Sequence, residues 1–233
     1  MKVLSIATRK GGVGKSTWTI YCATMLFHIS FKKGLKVALV DFDDQKSIAN
    51  QREKELKRKS VAKGLADIYP DDYKQRLSSM YPIYSFTYKE YLKKYKALNE
   101  NFQFVFLDFP GRVEKEQVSV LETIDKVAVP IVADELDIES GMSYMKMCAD
   151  LGIYAGWFLN KERNTNFTKM VKQQAHEKYF LKVNDKIEKI VNKEDGLLSI
   201  VERPETYRSN RSTIIPFDDK EKNISHLLKF LIN

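Results

Sequence analysis

The stretch from Arg9 to Thr17, Arg-Lys-Gly-Gly-Val-Gly-Lys-Ser-Thr, constrains the fold of this chain more than any other. The apolar run 3–7 before it predicts a buried strand, and apolar residues at helical spacing after it predict a helix. Glycines let the connecting backbone turn its N–H groups toward phosphate, and the helix N-terminus adds the positive end of its dipole. A strand, a glycine-rich turn, Gly-Lys-Ser and a helix in this order predict a triphosphate site.

The loop offers both side-chain and backbone ligands. Lys15 is expected to reach the β- and γ-phosphates, and the Ser16 hydroxyl is expected to bind Mg²⁺. The general phosphate-loop pattern has glycine at the position of Arg9, and this chain carries a second lysine, Lys10, inside the loop. The predicted nucleotide-binding residues of the loop are Lys10, Gly11, Gly12, Val13, Gly14, Lys15, Ser16 and Thr17.

Carboxylates follow two more apolar runs along the chain. Asp41 and Asp43 come at the end of the predicted strand 36–40, and Asp108 ends the continuous apolar strand 102–107. Parallel sheets hold their ligands at the carboxyl ends of the strands. Carboxylates at that edge can hold Mg²⁺ through water or orient an attacking water molecule. The hydroxyl of Ser16 and the carboxylates at these two strand ends are therefore the candidates for a magnesium site.

Lys-Gly-Gly-Val-Gly-Lys-Ser-Thr at 10–17 resembles the deviant Walker A motif of the ParA/MinD family of ATPases. The resemblance implies that Lys10 crosses a dimer interface and contacts the phosphates bound by the other subunit. It also implies that Asp41 lies near the metal and that Asp43 positions the hydrolytic water. On this resemblance the catalytic residues are Lys10, Lys15 and Asp43.

Two later motifs extend the resemblance. Asp108-Phe109-Pro110 is similar to the family's switch that senses the γ-phosphate, and this implies that Asp108 reaches Mg²⁺ through water. Asn160 matches an asparagine that hydrogen-bonds adenine in relatives, although a turn-forming asparagine is an equal alternative. Asp44 and Gly111 replace prolines of the family, which predicts a more mobile loop at each position.

The charge of the chain predicts an anionic partner. The net charge is +8 over 233 residues, which favours either nucleic acid or a lipid surface. Nine Lys or Arg stand against four Asp or Glu from 161 to 193, followed by Arg203, Arg208 and Arg211. These residues are the predicted DNA-binding surface, and solvated helix faces are the alternative.

The order of elements predicts an α/β fold, a single-domain doubly wound and mostly parallel sheet over 1–233 with helices on both faces. A charged helix is expected over 46–63, with Leu56 on its inner stripe, and two helix-like segments are expected within 161–193. Residues 197–201 are predicted as the last strand. The amphipathic tail 218–233 is expected to cap the core, and its alternative is a membrane-binding helix like that of MinD-type proteins.

Other features separate packing from chemistry. Tyr88, Tyr91 and Tyr95 recur at helical spacing among lysines, which favours a buried face over stacking on nucleic acid. Cys22 and Cys148 lie in helical patterns with apolar neighbours, which indicates reduced core thiols. The chain has no signal-peptide pattern and no apolar run of membrane-spanning length, so we expect a cytoplasmic protein, associated with the nucleoid where it binds DNA.

Together these features predict a ParA-like Mg²⁺-dependent ATPase. The resemblance implies a homodimer formed on ATP binding, non-specific DNA binding, a ParB-like partner protein, and a role in partition or in maintenance of a mobile element. Ser47–Glu53 resembles ParA-like proteins of bacterial conjugative transposons. The alternatives are a MinD-like ATPase at the membrane and an ATP-dependent metabolic enzyme of the dethiobiotin synthetase type. An iron–sulfur reductase is disfavoured because both cysteines lie in core patterns.

Overall fold

The computed structural model describes residues 1–111, 116–132, 135–162, 187–189, 191–192, 196–197, 199–201, 211–218 and 222–233. Its strands are β1 (Lys2–Ile6), β2 (Val37–Asp41), β3 (Ile83–Ser85), β4 (Phe104–Asp108), β5 (Lys126–Ile131), β6 (Tyr154–Glu162), β7 (Ile187–Lys189), β8 (Val191–Asn192), β9 (Gly196–Leu197) and β10 (Ser199–Val201). Its helices are α1 (Lys15–Ser30), α2 (Ser47–Leu56), α3 (Lys59–Ile68), α4 (Tyr73–Ser78), α5 (Tyr88–Asn101), α6 (Gln117–Leu121), α7 (Glu135–Asp150) and α8 (Asn223–Ile232).

Eight of the described strands form one sheet in the order β10-β6-β5-β1-β4-β2-β3, with β7 also paired to β6. Every pairing in this sheet is parallel, while β8 and β9 form a separate antiparallel pair. Successive residues of a strand point to opposite faces, and both faces are buried: Val3 packs in the cluster with α5 and α7, and Leu4 in the cluster with α1 and α8. The predicted doubly wound α/β fold is confirmed.

The phosphate-loop strand is central in this sheet. β1 lies between β4 and β5, and β2 lies on the far side of β4. The register aligns Asp41 at the end of β2 with Asp108 at the end of β4. The predicted carboxylates therefore meet at one edge of the sheet, beside the loop that follows β1.

The segment 46–63 differs from the single helix expected there. It forms α2 and α3, with Arg58 extended between them. The prediction placed Leu56 on the inner stripe, but Leu56 is 53% exposed. Glu55 is buried on the inner face in its place. Glu55 is buried because its Oε2 accepts hydrogen bonds from the Thr213 N–H at 2.9 Å and from the Thr213 hydroxyl at 2.6 Å. Satisfied hydrogen bonds allow this carboxylate to replace an apolar side chain on the inner face.

The later basic region also differs from its prediction where it is described. β6 continues to Glu162, and β7 and β8 are strands within the region expected to be helical. The remainder of 161–193 lies outside the described residues. The strand predicted over 197–201 is divided, since Leu197 ends β9, which pairs with β8, and β10 pairs with β6.

The tail helix and the tyrosine helix both bury their apolar faces. α8 buries Ile224, Leu227, Leu228 and Leu231 against the α1 side of the sheet, so the expected capping role is confirmed. Tyr91 is fully buried in α5, which confirms the packing interpretation of that helix. Both cysteines are buried and unpaired by disulfide. None of the described helices is both long and apolar enough to cross a membrane.

Candidate nucleotide site

The loop after β1 has the backbone that its glycines predict. Gly12 and Gly14 have φ angles of +74° and +91°, a region that side chains with a Cβ rarely adopt. The Lys15 Nζ donates to the backbone carbonyl of Lys10 at 2.9 Å, so the lysine folds over the loop that it follows. Burial lowers the pKa of Lys15, and the negative charge of Asp108 opposes that shift. The ammonium thus lies where the loop would hold phosphate.

A hydroxyl and two carboxylates meet beside this loop. The Ser16 hydroxyl donates to Asp108 Oδ2 at 2.7 Å. Asp41 accepts backbone N–H groups from Asp43 at 3.0 Å and from Ile48 at 3.1 Å, which fixes its carboxylate at the start of α2. The structure therefore brings together the three residues that were predicted to bind metal.

The electrostatics of this cluster fit a divalent cation. Burial raises the pKa of Asp108 to about 7, and the nearby negative charge of Asp41 contributes to that shift. Asp108 Oδ1 is buried and has no hydrogen-bond partner among the described residues. Mg²⁺ prefers oxygen ligands and is usually held by one or two carboxylates together with substrate phosphates. Two buried carboxylates and a hydroxyl beside a phosphate loop fit that requirement.

Asp43 lies next to this cluster and lines a cavity of about 550 Å³. Its Oδ1 accepts the backbone N–H of Gln45 at 3.1 Å, which holds the side chain at the start of the following turn. The cavity is lined by Gly11, Phe42, Asp43, Asp44, Thr87, Tyr88, Pro110 and Gly111. A carboxylate in this position can orient a water molecule toward a phosphate held by the loop.

Gly111 brings the loop after β4 into contact with the phosphate loop. A Cβ on Gly111 would lie 3.2 Å from the Cα of Gly11 and 3.7 Å from Lys15 Nζ. The contact of 3.2 Å is tighter than most side chains accept, so the close approach of the two backbones favours glycine here. The contact joins the two loops that bracket the cavity.

The two basic residues that begin the loop contact α7. The Lys10 ammonium forms an ion pair with Asp137, whose side chain is buried. Arg9 Nη1 donates to the Ser143 hydroxyl at 3.4 Å, and Arg9 Nη2 lies 3.3 Å from the sulfur of Met147. Sequence reasoning missed Asp137 as a neighbour of the site and the contact of Arg9 with α7. The crossing of Lys10 to a second subunit stays a prediction.

Asn160 lies directly against the phosphate loop. Its amide Nδ2 donates to the carbonyl of Val13 at 2.6 Å, and the side chain is buried. A Cβ on Gly14 would lie 3.2 Å from the same nitrogen. Asn160 therefore supports the loop backbone, and the adenine contact stays a prediction.

The predicted DNA-binding residues fall in different parts of the structure. Arg203 and Arg208 lie outside the described residues. Arg211 is half-buried, and its Nη1 lies 3.5 Å from the hydroxyl of Thr17 in the first turn of α1. Arg211 thus borders the nucleotide site, and its contact with DNA stays a prediction.

The sequence model of the CobQ/CobB/MinD/ParA nucleotide binding domain matches residues 4–206, most of the chain. This chain belongs to that family. A comparison with curated proteins finds no match. The family match accounts for the phosphate loop, the carboxylates at the ends of β2 and β4, and the sheet that positions them.

Solved structures agree on the fold. A plasmid partition protein from Borrelia burgdorferi is 20% identical with a TM-score of 0.56, covering 98% of this chain and 96% of its own. MinD in the MinC:MinD cell division complex of Aquifex aeolicus is 20% identical with a TM-score of 0.64, covering 100% and 96%. A McdA variant of Cyanothece in complex with ATP is 13% identical with a TM-score of 0.63, covering 100% and 96%.

Proposed function

We propose that this protein is a ParA-like, Mg²⁺-dependent ATPase that dimerises on ATP, binds DNA without sequence preference, and serves partition or maintenance of a mobile element. The observation that carries the enzymatic part is the cluster of Ser16, Asp41 and Asp108 beside the phosphate loop, with the hydrogen bond of 2.7 Å between Ser16 and Asp108. The ATP complex of the McdA variant supports ATP as the nucleotide. The similarity to a plasmid partition protein supports the partition role, and the net charge of +8 supports DNA binding.

Each residue has a definite task in this mechanism. The N–H groups of 11–17 bind the phosphates, and Lys15 transfers its ammonium from the Lys10 carbonyl to the β- and γ-phosphate oxygens. Ser16, Asp41 and Asp108 would hold Mg²⁺, which when bound neutralises charge on the phosphate oxygens. Asp43 orients the attacking water, and Pro110 and Gly111 line the cavity beside the phosphate loop. Catalysis on this account consists of positioning and charge stabilisation.

A steady-state phosphate-release assay tests the proposal. We expect the purified protein to release phosphate from ATP with Mg²⁺ and to stop when EDTA removes the metal. Lys15→Gln should abolish release because a neutral amide cannot stabilise the charge of the transferring phosphoryl group. Turnover that is equal in the wild type and in Lys15→Gln would contradict the proposal.

A further inference from the structure

A basic turn joins α2 to α3. We define it by its five exposed cationic residues, Lys54, Lys57, Arg58, Lys59 and Lys63. The one acidic residue between 54 and 63 is Glu55, which is buried and bonded to Thr213. Exposed Glu53 and Asp67 flank the segment. Between residues 54 and 63, the side chains exposed to solvent therefore carry five positive charges and no negative charge.

These charges have no acidic partner among the described residues. None of the five side chains forms an ion pair or a hydrogen bond with the part of the chain that the structure describes. Lys54 in the last turn of α2 and Lys57 directly after that helix are three residues apart, and Lys59 and Lys63 are four apart on α3. Like charges at these spacings repel at about 5–6 Å between Cβ atoms, although the C-terminal end of the α2 dipole favours the first pair. Arg58 and Lys59 also lie at the N-terminal end of α3, where the helix dipole disfavours cations. A bound polyanion would remove this repulsion.

Contacts with the segment 211–218 hold the two helices that carry the basic turn. Arg52 in α2 donates from Nη2 to the Thr213 carbonyl at 2.7 Å and from Nε to the Thr213 hydroxyl at 2.7 Å. On α3, Val61 and Leu65 are buried, and a Cβ on Gly64 would lie 2.9 Å from the Cδ1 of Ile215. Both helices are thereby held against the segment 211–218, so the backbone positions that carry the five charges keep a constant spacing.

The chemistry of the turn favours the backbone of a nucleic acid over a lipid surface. Membrane-binding helices expose several apolar side chains on one face. On α3, Val61 and Leu65 are buried, and the exposed large apolar residues of α2 and α3 are Leu56 and Ile68, two isolated side chains twelve residues apart. Fixed cations without an apolar face are the features that bind phosphate backbones regardless of base sequence.

We propose that the basic turn is a binding surface for the phosphate backbone of double-stranded DNA. The inference rests on the proposed function only in taking DNA as the ligand. It adds a DNA-binding surface on α2 and α3, apart from Arg203, Arg208 and Arg211. The turn needs no nucleotide to be formed, because its supports are contacts within the chain.

The test compares two triple variants of equal charge in the full-length protein. Lys57→Gln/Arg58→Gln/Lys59→Gln removes three charges from the turn. The matched control, Lys89→Gln/Lys93→Gln/Lys96→Gln, removes three exposed charges from α5, which packs on the opposite face of the sheet. Binding to a fluorescent 30-base-pair duplex of mixed sequence is followed by anisotropy over a series of KCl concentrations. Circular dichroism and ATP turnover are recorded on the same samples.

We expect the turn variant to reduce the slope of log affinity against log [KCl] by up to about 2.7, since each lost phosphate contact removes about 0.9. The control should keep most of the wild-type slope. Equal slopes in the two variants would overturn the proposal, as would wild-type binding to phosphatidylglycerol vesicles without binding to the duplex. The wild type could bind the duplex through the basic turn and yet show no ATP turnover. That result would overturn the proposed enzymatic function and would still support the basic turn as a DNA-binding surface.

Discussion

The Lys10 ammonium forms an ion pair with the buried carboxylate of Asp137 on α7, within one chain. A lysine that reaches phosphates in a second subunit must first leave this partner. The Lys10 side chain is 41% exposed, so solvent screens this pair, and breaking it costs less than removing one member of a fully buried ion pair. The pair therefore holds the lysine in the single chain and opposes its transfer to another subunit.

The first prediction concerns this competition. Asp137→Asn should dimerise at lower ATP concentration than the wild type, because Lys10 no longer has to leave a carboxylate. We expect a shift of about tenfold, measured by light scattering across an ATP titration. Glu139→Gln is the control, since Glu139 is an exposed acid on the same helix. An Asp137→Asn midpoint at or above that of the control would show that the pair does not restrain Lys10.

The second prediction separates the acids that follow β2. Asp43→Ala should retain ATP binding and lose turnover by a factor of 100 or more, on the order expected for loss of a residue that orients the nucleophile. Asp44→Ala, one residue away and exposed, should keep most of its turnover. Binding is measured with a fluorescent ATP analogue and turnover by phosphate release. Equal turnover in the two variants would remove Asp43 from its assigned role.

The third prediction concerns Asn160 and the loop that it supports. Asn160→Ala removes the hydrogen bond to the Val13 carbonyl and leaves that buried acceptor unpaired, at a cost of about 1–3 kcal/mol. We expect the affinity of Asn160→Ala to fall at least tenfold, both for ATP and for tripolyphosphate, which has no base. Calorimetry measures both affinities. Weaker ATP binding with unchanged tripolyphosphate binding would mean that Asn160 acts through the adenine alone.

The fourth prediction is a pH dependence of stability from His28. Burial is the main cause that lowers the pKa of His28 from 6.5 to about 4, and the positive charges of Arg76 and Arg52 add to it. Asp72 and the hydrogen bond to the Ile214 carbonyl oppose it. The unfolded chain thus binds more protons between these pH values, so the free energy of unfolding should fall as pH falls from about 6.5 to about 4. The full effect is up to roughly 3 kcal/mol.

Urea unfolding at several pH values checks this contribution. His28→Gln should flatten the dependence between pH 4 and pH 6.5, because glutamine can still donate to the Ile214 carbonyl without gaining a proton. His226→Gln on α8 controls for the loss of a histidine elsewhere. A slope unchanged in His28→Gln would contradict the assignment.

The sequence predicted the elements that depend on local pattern. The phosphate loop, the parallel sheet and the carboxylates Asp41 and Asp108 follow from apolar runs that end in polar residues, and the sheet register then brings these carboxylates together. Predicting such features needs only the spacing of apolar residues along the chain and the rule that the carboxyl ends of parallel strands lie at one edge of the sheet.

The predictions that failed depended on distant partners. Glu55 and Leu56 are equally spaced candidates for the inner face of α2, and hydrophobicity favours the leucine. Glu55 takes the inner position because Thr213, 158 residues later in the chain, donates two hydrogen bonds to its carboxylate. The contacts of Lys10 with Asp137 and of Arg9 with Ser143 were missed for the same reason. No local period reports which residue of a later helix will lie beside the loop.

Sedimentation velocity on the Asp43→Ala protein tests the central claim most directly, because it reports ATP-dependent dimerisation while turnover is blocked. With ATP and Mg²⁺ the account predicts a species of twice the 27.1 kDa chain mass, and with ADP and Mg²⁺ a single chain. Adding Lys10→Ala should return the ATP sample to a single chain that still binds nucleotide. A sedimentation coefficient that is the same with ATP and ADP, or a dimer that survives Lys10→Ala, would contradict the account.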